Sequence, residues 1–103
     1  MKCIMNETLP IGSVVKTKEN DIQLMITGYD NTHEEINYDY TAVIHPTGIE
    51  YLTEEIQQNV FYFNQEEIEE VYFVGYIDKD VNERLKHAKN IRIAKNNKKK
   101  EGV

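Results

Sequence analysis

The chain has no tryptophan, a single cysteine, two prolines and five glycines among 103 residues, and each scarcity excludes something. Cys3 alone cannot close an intrachain disulfide. With no His or Asn at a nucleophile's spacing it reads as a bystander. Gly12, Gly28, Gly48, Gly75 and Gly102 stand far apart, so no glycine-rich loop is there to cradle a phosphate. No run of 18 apolar residues occurs, which argues against a transmembrane helix and against membrane insertion. The opening MKCIMNETLP carries one Lys and no apolar stretch, so it does not read as a signal peptide. With the lone cysteine, this points to a cytoplasmic protein.

Catalytic and metal-binding patterns are equally sparse. His33, His45 and His87 fall in a polar connection, at a strand end and on a helix. The run His33-Glu34-Glu35 lacks the second helical His and third ligand of a zinc site. Glu66, Glu67, Glu69 and Glu70 crowd one turn, where carboxylates are normally solvated. A catalytic acid/base pair needs a cleft that separates two pKa values. The expectation is a non-enzymatic protein with no cofactor and no metal.

The length fits one domain, which buries about two-thirds of its unfolded surface around one modest core. Charge is split along the chain. Residues 1–78 carry fifteen carboxylates against Lys2, Lys16 and Lys18, a net of −12, whereas residues 79–103 carry nine cations against three carboxylates, a net of +6. An acidic body repels phosphate backbones, so nucleic acid could dock only through the C-terminal segment. A basic protein partner suits the body better.

Strand signals recur up to Ile77. Ser13–Lys18 is entered through Leu9-Pro10-Ile11-Gly12. Ile22–Tyr29 alternates, with Leu24 and Ile26 on one face and Met25, Thr27 and Tyr29 on the other. Asp30–Asn37 reads as a polar connection, and Tyr38–His45 as a third strand ended by Pro46-Thr47-Gly48. Ile49–Asn59, with Thr53-Glu54-Glu55-Ile56, is either a helical turn or a loop. Val60–Asn64 is a short aromatic strand. Gln65–Glu70 is a single turn capped by Asn64, and Val71–Ile77 a last strand in which Gly75 marks a bulge or close backbone approach. Ile77, Val81, Leu85, Ala88 and Ile91 then follow a helical period, with Asp78 as N-cap. The expected domain layout is a flexible N-terminus over 1–8 and one compact domain over 9–95, whose helix spans about 78–95, followed by a basic flexible tail over 96–103. The fold class is α+β: a strongly bent antiparallel sheet or SH3-like barrel of five strands with a C-terminal helix. Val14, Leu24, Ile26, Val71, Phe73 and Leu85 are the expected core.

Seven Tyr and three Phe make the chain tyrosine-rich. Tyr alternates with aliphatic residues on two strands, and its rigid body and polar tip suit an interface. Tyr29, Tyr38, Tyr40 and Tyr76 are expected to be partly exposed. With Glu66 and Glu67 they form the candidate protein-binding surface.

The blocks LPIGSVV (Leu9–Val15), LMITGY (Leu24–Tyr29), YDYTAVIHPTG (Tyr38–Gly48), FYFNQEEI (Phe61–Ile68) and EEVYFVGY (Glu69–Tyr76) occur in that order. They resemble successive segments of a domain-of-unknown-function family (DUF4176-like) of small Gram-positive proteins encoded beside LXG toxins of type VII secretion loci. The resemblance implies an accessory protein, a chaperone or adaptor that binds an LXG-type toxin before export, and it carries over no catalytic residues. Two alternatives stay open: an immunity or antitoxin-like inhibitor of a toxin, and a small-barrel nucleic-acid binder using the basic C-terminal segment. The residues do not set an oligomeric state.

Overall fold

The computed structural model describes residues 8–49 and 59–101. Along it run β1 (Val14–Thr17), β2 (Leu24–His33), β3 (Ile36–Ile44), β4 (Val60–Phe63), a 3₁₀ turn (Gln65–Glu67), β5 (Ile68–Phe73) and α1 (Lys79–Glu101). The strands pair antiparallel in the order β4-β3-β2-β1-β5. This is the expected α+β class. The sheet stays open, however, because β4 and β5 lie at opposite edges instead of closing an SH3-like barrel. Cys3 and the Thr53–Ile56 segment lie outside the described residues.

The long β2–β3 hairpin organises the sheet. The stretch Asp30–Asn37, expected as a connection, is mostly strand: pairing continues to His33↔Ile36 and leaves only Glu34 and Glu35 to turn. Both adopt left-handed backbone, at φ 50° and 68°, the combination a two-residue hairpin turn requires. A solvated ladder tolerates polar side chains on either face, so polarity there did not imply a loop.

Bulges decide which side chains face the core. Between Ile26 and Gly28 the register of β2 against β3 slips by one residue. Each one-residue slip inverts the facing of everything beyond it. Tyr29 therefore joins Leu24 and Ile26 in the core instead of sharing the face of Met25 and Thr27. The same device acts on β5: Val15 pairs with Val71 but Val14 pairs with Phe73, so Tyr72 is an extra residue. Val71 is buried as expected, whereas Phe73 is 58% exposed and is not a core residue. The hydrophobic core gathers Val15, Leu24, Ile26, Tyr40, Phe63 and Val71, with Leu85 packed against it from the helix. Val14 is buried too, but outside that cluster.

Helix α1 starts where the sequence places it. Asp78 Oδ1 accepts the Val81 amide at 2.8 Å, which satisfies one of the open N–H groups of the first turn. The helix meets the sheet mainly at β2 and buries Ala88 and Arg92, with Val81, Leu85 and Ile91 half-buried. It runs on to Glu101, past Asn96, where the apolar period stops and a flexible tail was expected. Charged residues carry the inward stripe on beyond Ala88. Arg92 donates to Thr8 Oγ1 at 3.2 Å, and Lys95 donates to Asn37 Oδ1 and Asp39 Oδ1, each at 2.8 Å.

Candidate protein-binding surface

The residues singled out from the sequence fall into three separate places. Tyr40 is 1% exposed, and its hydroxyl is a junction: it accepts the Leu9 amide at 3.0 Å and donates to Gln65 Oε1. Tyr29 is also buried. Its ring lies 6.0 Å from that of Tyr40, and the Arg84 guanidinium sits 4.9 Å above it. Burial pushes the Tyr29 phenol above its ordinary pKa, opposed by the Ile11 backbone and by Arg84. Both tyrosines were expected to be partly exposed. They are core residues because the β2 bulge turns Tyr29 inward and because Tyr40 bridges the N-terminal segment to the 3₁₀ turn.

Tyr38 is half-buried on the hairpin, packed on Tyr62 at 5.7 Å between centroids; Tyr62 in turn stacks on His33 at 4.4 Å. Glu66 and Glu67 occupy the 3₁₀ turn ahead of β5, and Tyr76 lies beyond the other end of that strand. Six strand residues separate them, roughly 20 Å at the usual rise per residue. Tyr76, at 77% exposed, meets the expectation.

The turn itself is held from β3. Asn64 stands at the N-cap position but makes no side-chain cap. Its Oδ1 accepts the Asp39 amide at 3.0 Å, while Asp39 Oδ2 accepts the Gln65 amide at 2.9 Å. Burial raises the Glu67 pKa, and the carboxylates of Glu19, Glu66 and Asp39 add to the rise. This end of β5 is therefore a site of concentrated negative potential. One strand residue on, Glu69 accepts Lys16 Nζ at 3.0 Å, a hydrogen bond that holds the ammonium above its ordinary pKa. Partial desolvation and then the neighbouring Glu70 push the Tyr72 phenol up.

Sequence reasoning missed a run of exposed apolar residues after β5. Tyr72, Phe73, Val74, Tyr76 and Ile77 are all 39% to 77% exposed along one stretch of chain. Ile11, 52% exposed, abuts them through Gly75: a Cβ on Gly75 would lie 2.3 Å from the Ile11 carbonyl oxygen and 3.0 Å from the Ser13 amide nitrogen. The Gly75 amide donates to Ser13 Oγ at 3.0 Å. That crossing fixes the strip to the start of β1. Gly75 was the available signal, since a close backbone approach there carries its neighbours outward.

A cavity of about 10 Å³, room for one water, lies among Asp30, Asp39, Tyr40 and Arg92. A shallow depression of about 140 Å³ is lined by Thr8, Asn82, Leu85, Lys86 and Lys89. Among the described residues, no group of three or more His, Cys, Asp or Glu side chains could hold a metal ion. No described helix is long and apolar enough to cross a membrane.

Fold and surface together define a small α+β domain with an open antiparallel sheet and an apolar strip edged by carboxylates. The model of a domain of unknown function, DUF4176, matches residues 8–84, and the chain belongs to that family. No curated protein and no solved structure matches it.

Proposed function

We propose that the protein is a non-enzymatic binding module of the cytoplasm, an accessory, chaperone or adaptor that engages an LXG-type toxin for type VII secretion. The observation that carries the binding reading is the strip Tyr72–Ile77 with Ile11. A contiguous run of large exposed apolar side chains with a polar rim marks a protein-interaction surface. The carboxylates of Glu66, Glu69 and Glu70 on one side and Asp78 and Asp80 on the other favour a partner with basic residues around an apolar centre. The partner class rests on the sequence resemblance.

Two of the cations that would serve a nucleic-acid reading point inward instead, Arg92 to Thr8 and Lys95 to Asp39. The immunity reading predicts the same surface but a different target.

Co-purification tests the proposal. The neighbouring toxin's N-terminal region and its C-terminal toxin domain are each presented to the full chain at low and moderate salt. Retention of the N-terminal region supports the export role; retention of the toxin domain alone supports inhibition. If neither is retained, the toxin-binding reading fails.

A further inference from the structure

We propose that the outer edge of β5 and the strip that follows it take up an extended segment of the partner. That segment has alternating apolar side chains and Lys or Arg at its ends. This deepens the protein-binding reading above and rests on it.

Three observations converge. Among the described residues β5 pairs on one side only, with β1, so the N–H and C=O groups of its other edge face outward. An added strand satisfies such groups, and pockets for alternate side chains supply selectivity. Next, the chain beyond Phe73 joins no other strand among the described residues, yet it is pinned, because the Gly75 amide is held by Ser13 and Gly75 sits against Ile11. The exposed side chains of Val74, Tyr76 and Ile77 therefore stand on a fixed backbone and lose little freedom on binding. Finally, carboxylates bracket the surface. Glu66, Glu67, Glu69 and Glu70 lie at one end against Lys16, which is paired with Glu69, and Lys18, while Asp78 and Asp80 flank Lys79 at the other, so carboxylates outnumber cations at both ends.

The charge argues against a second copy as the occupant. A symmetric pairing of two β5 edges brings two sets of these carboxylates together, whereas a basic-ended strand neutralises them. The extra residues at Tyr72 and Glu69 twist β5 and break long registers, which is how edges resist indiscriminate pairing. The added strand is consequently short, and the apolar anchors carry much of its affinity.

The test uses the full chain and three fluorescent peptides. One alternates valine and threonine with paired lysines at both ends, the second has glutamates in place of the lysines, and the third carries a central proline. Affinity is read by anisotropy, backbone protection by amide hydrogen exchange over residues 68–77. The expected result is binding of the lysine-ended peptide about tenfold or more tighter than either counterpart, with protection of those amides. The double variant F73S/Y76S should weaken that binding by about tenfold or more while keeping the wild-type melting temperature. Equal binding of all three peptides, no binding of the lysine-ended one, or protection that grows with protein concentration in the peptide-free chain overturns the inference; the last identifies a second copy as the occupant. The toxin experiment separates the two claims. Toxin captured equally by wild type and F73S/Y76S sinks the strand-docking inference and leaves toxin binding standing. Peptide docking without toxin capture does the reverse.

Discussion

Replacing Gly75 by alanine tests the crossing that holds the exposed strip in place. The added Cβ would lie 2.3 Å from the Ile11 carbonyl oxygen, 3.0 Å from the Ser13 amide and 3.1 Å from the Gly12 carbonyl carbon. All three are backbone atoms, so no side chain can swing aside, and the two segments must part by well over half an ångström. Forcing a methyl into such a contact costs about 1–3 kcal/mol. Parting the segments also removes the Gly75–Ser13 hydrogen bond, a further ~1 kcal/mol. A total near 3 kcal/mol lowers the melting temperature of a domain this size by about 12–24 °C. Calorimetry of wild type and two controls isolates the cause. Ser13→Ala removes the hydrogen bond alone and should cost about 4–8 °C. Gly12→Ala meets nothing closer than 3.8 Å, but Gly12 has φ 94°, so its cost is purely dihedral. A Gly75→Ala protein melting within about 2 °C of wild type would refute the crossing, because a cost near 3 kcal/mol has no other way to vanish.

Three further outcomes follow from the same fold. Phe63→Ala, in the core, should cost about 3–5 kcal/mol in chemical denaturation, whereas exposed Phe73→Ala should stay within about 0.5 kcal/mol; equal losses would return Phe73 to the interior. The hairpin turn should accept Glu34→Asn with Glu35→Gly and gain about 1–2 kcal/mol, since both positions have left-handed backbone that glutamate tolerates poorly; a lower melting temperature would contradict that geometry. Glu67→Gln should raise the melting temperature at neutral pH. The folded-state pKa of Glu67 lies above 4.5, so its charged form is disfavoured by folding: the penalty is complete above the folded pKa and is relieved as pH falls toward 4.5. The difference between variant and wild type should therefore disappear below pH 4.5, and a difference independent of pH would remove the electrostatic explanation.

Periodicity located the elements well. The other strands, the Asp78 cap and the start of the helix lie close to where the residue pattern puts them, but β5 spans Ile68–Phe73 instead of Val71–Ile77. Ile68 and Glu70, expected in the turn, pair with β1, and the strand ends before Gly75. Facing was much less legible. An alternating pattern assigns sides only while the register is unbroken, and slips at Ile26/Gly28 and Val14/Val15 moved Tyr29 inward and Phe73 outward. The first slip does carry a mark, Gly28 inside an alternating strand, whereas the second, at Tyr72, has none. Tyr40 misled for another reason: its polar tip suggested solvent, but Leu9 and Gln65 satisfy the hydroxyl inside the fold. Arg92 and Lys95 were read as part of a basic surface because charge says nothing about partners such as Thr8 and Asp39, which lie more than fifty positions away. Of the candidate surface, Tyr76 and the acidic turn were legible, and the apolar strip between them was not.

The position of β1 has a consequence for the order in which the chain assembles. Val15 pairs with Leu24, nine positions away, and also with Val71, fifty-six positions away. The β2–β3 hairpin and its pairing with β1 close short loops, while the β1–β5 ladder waits for the widest closure in the sheet and is the slow step by topology. Until β5 arrives, the sheet ends at β1, and the Val15 backbone and side chain stand where water reaches them. An emerging chain therefore holds an unfinished edge from the emergence of β1 until that of β5, and completes it with the strand that leads into the exposed strip.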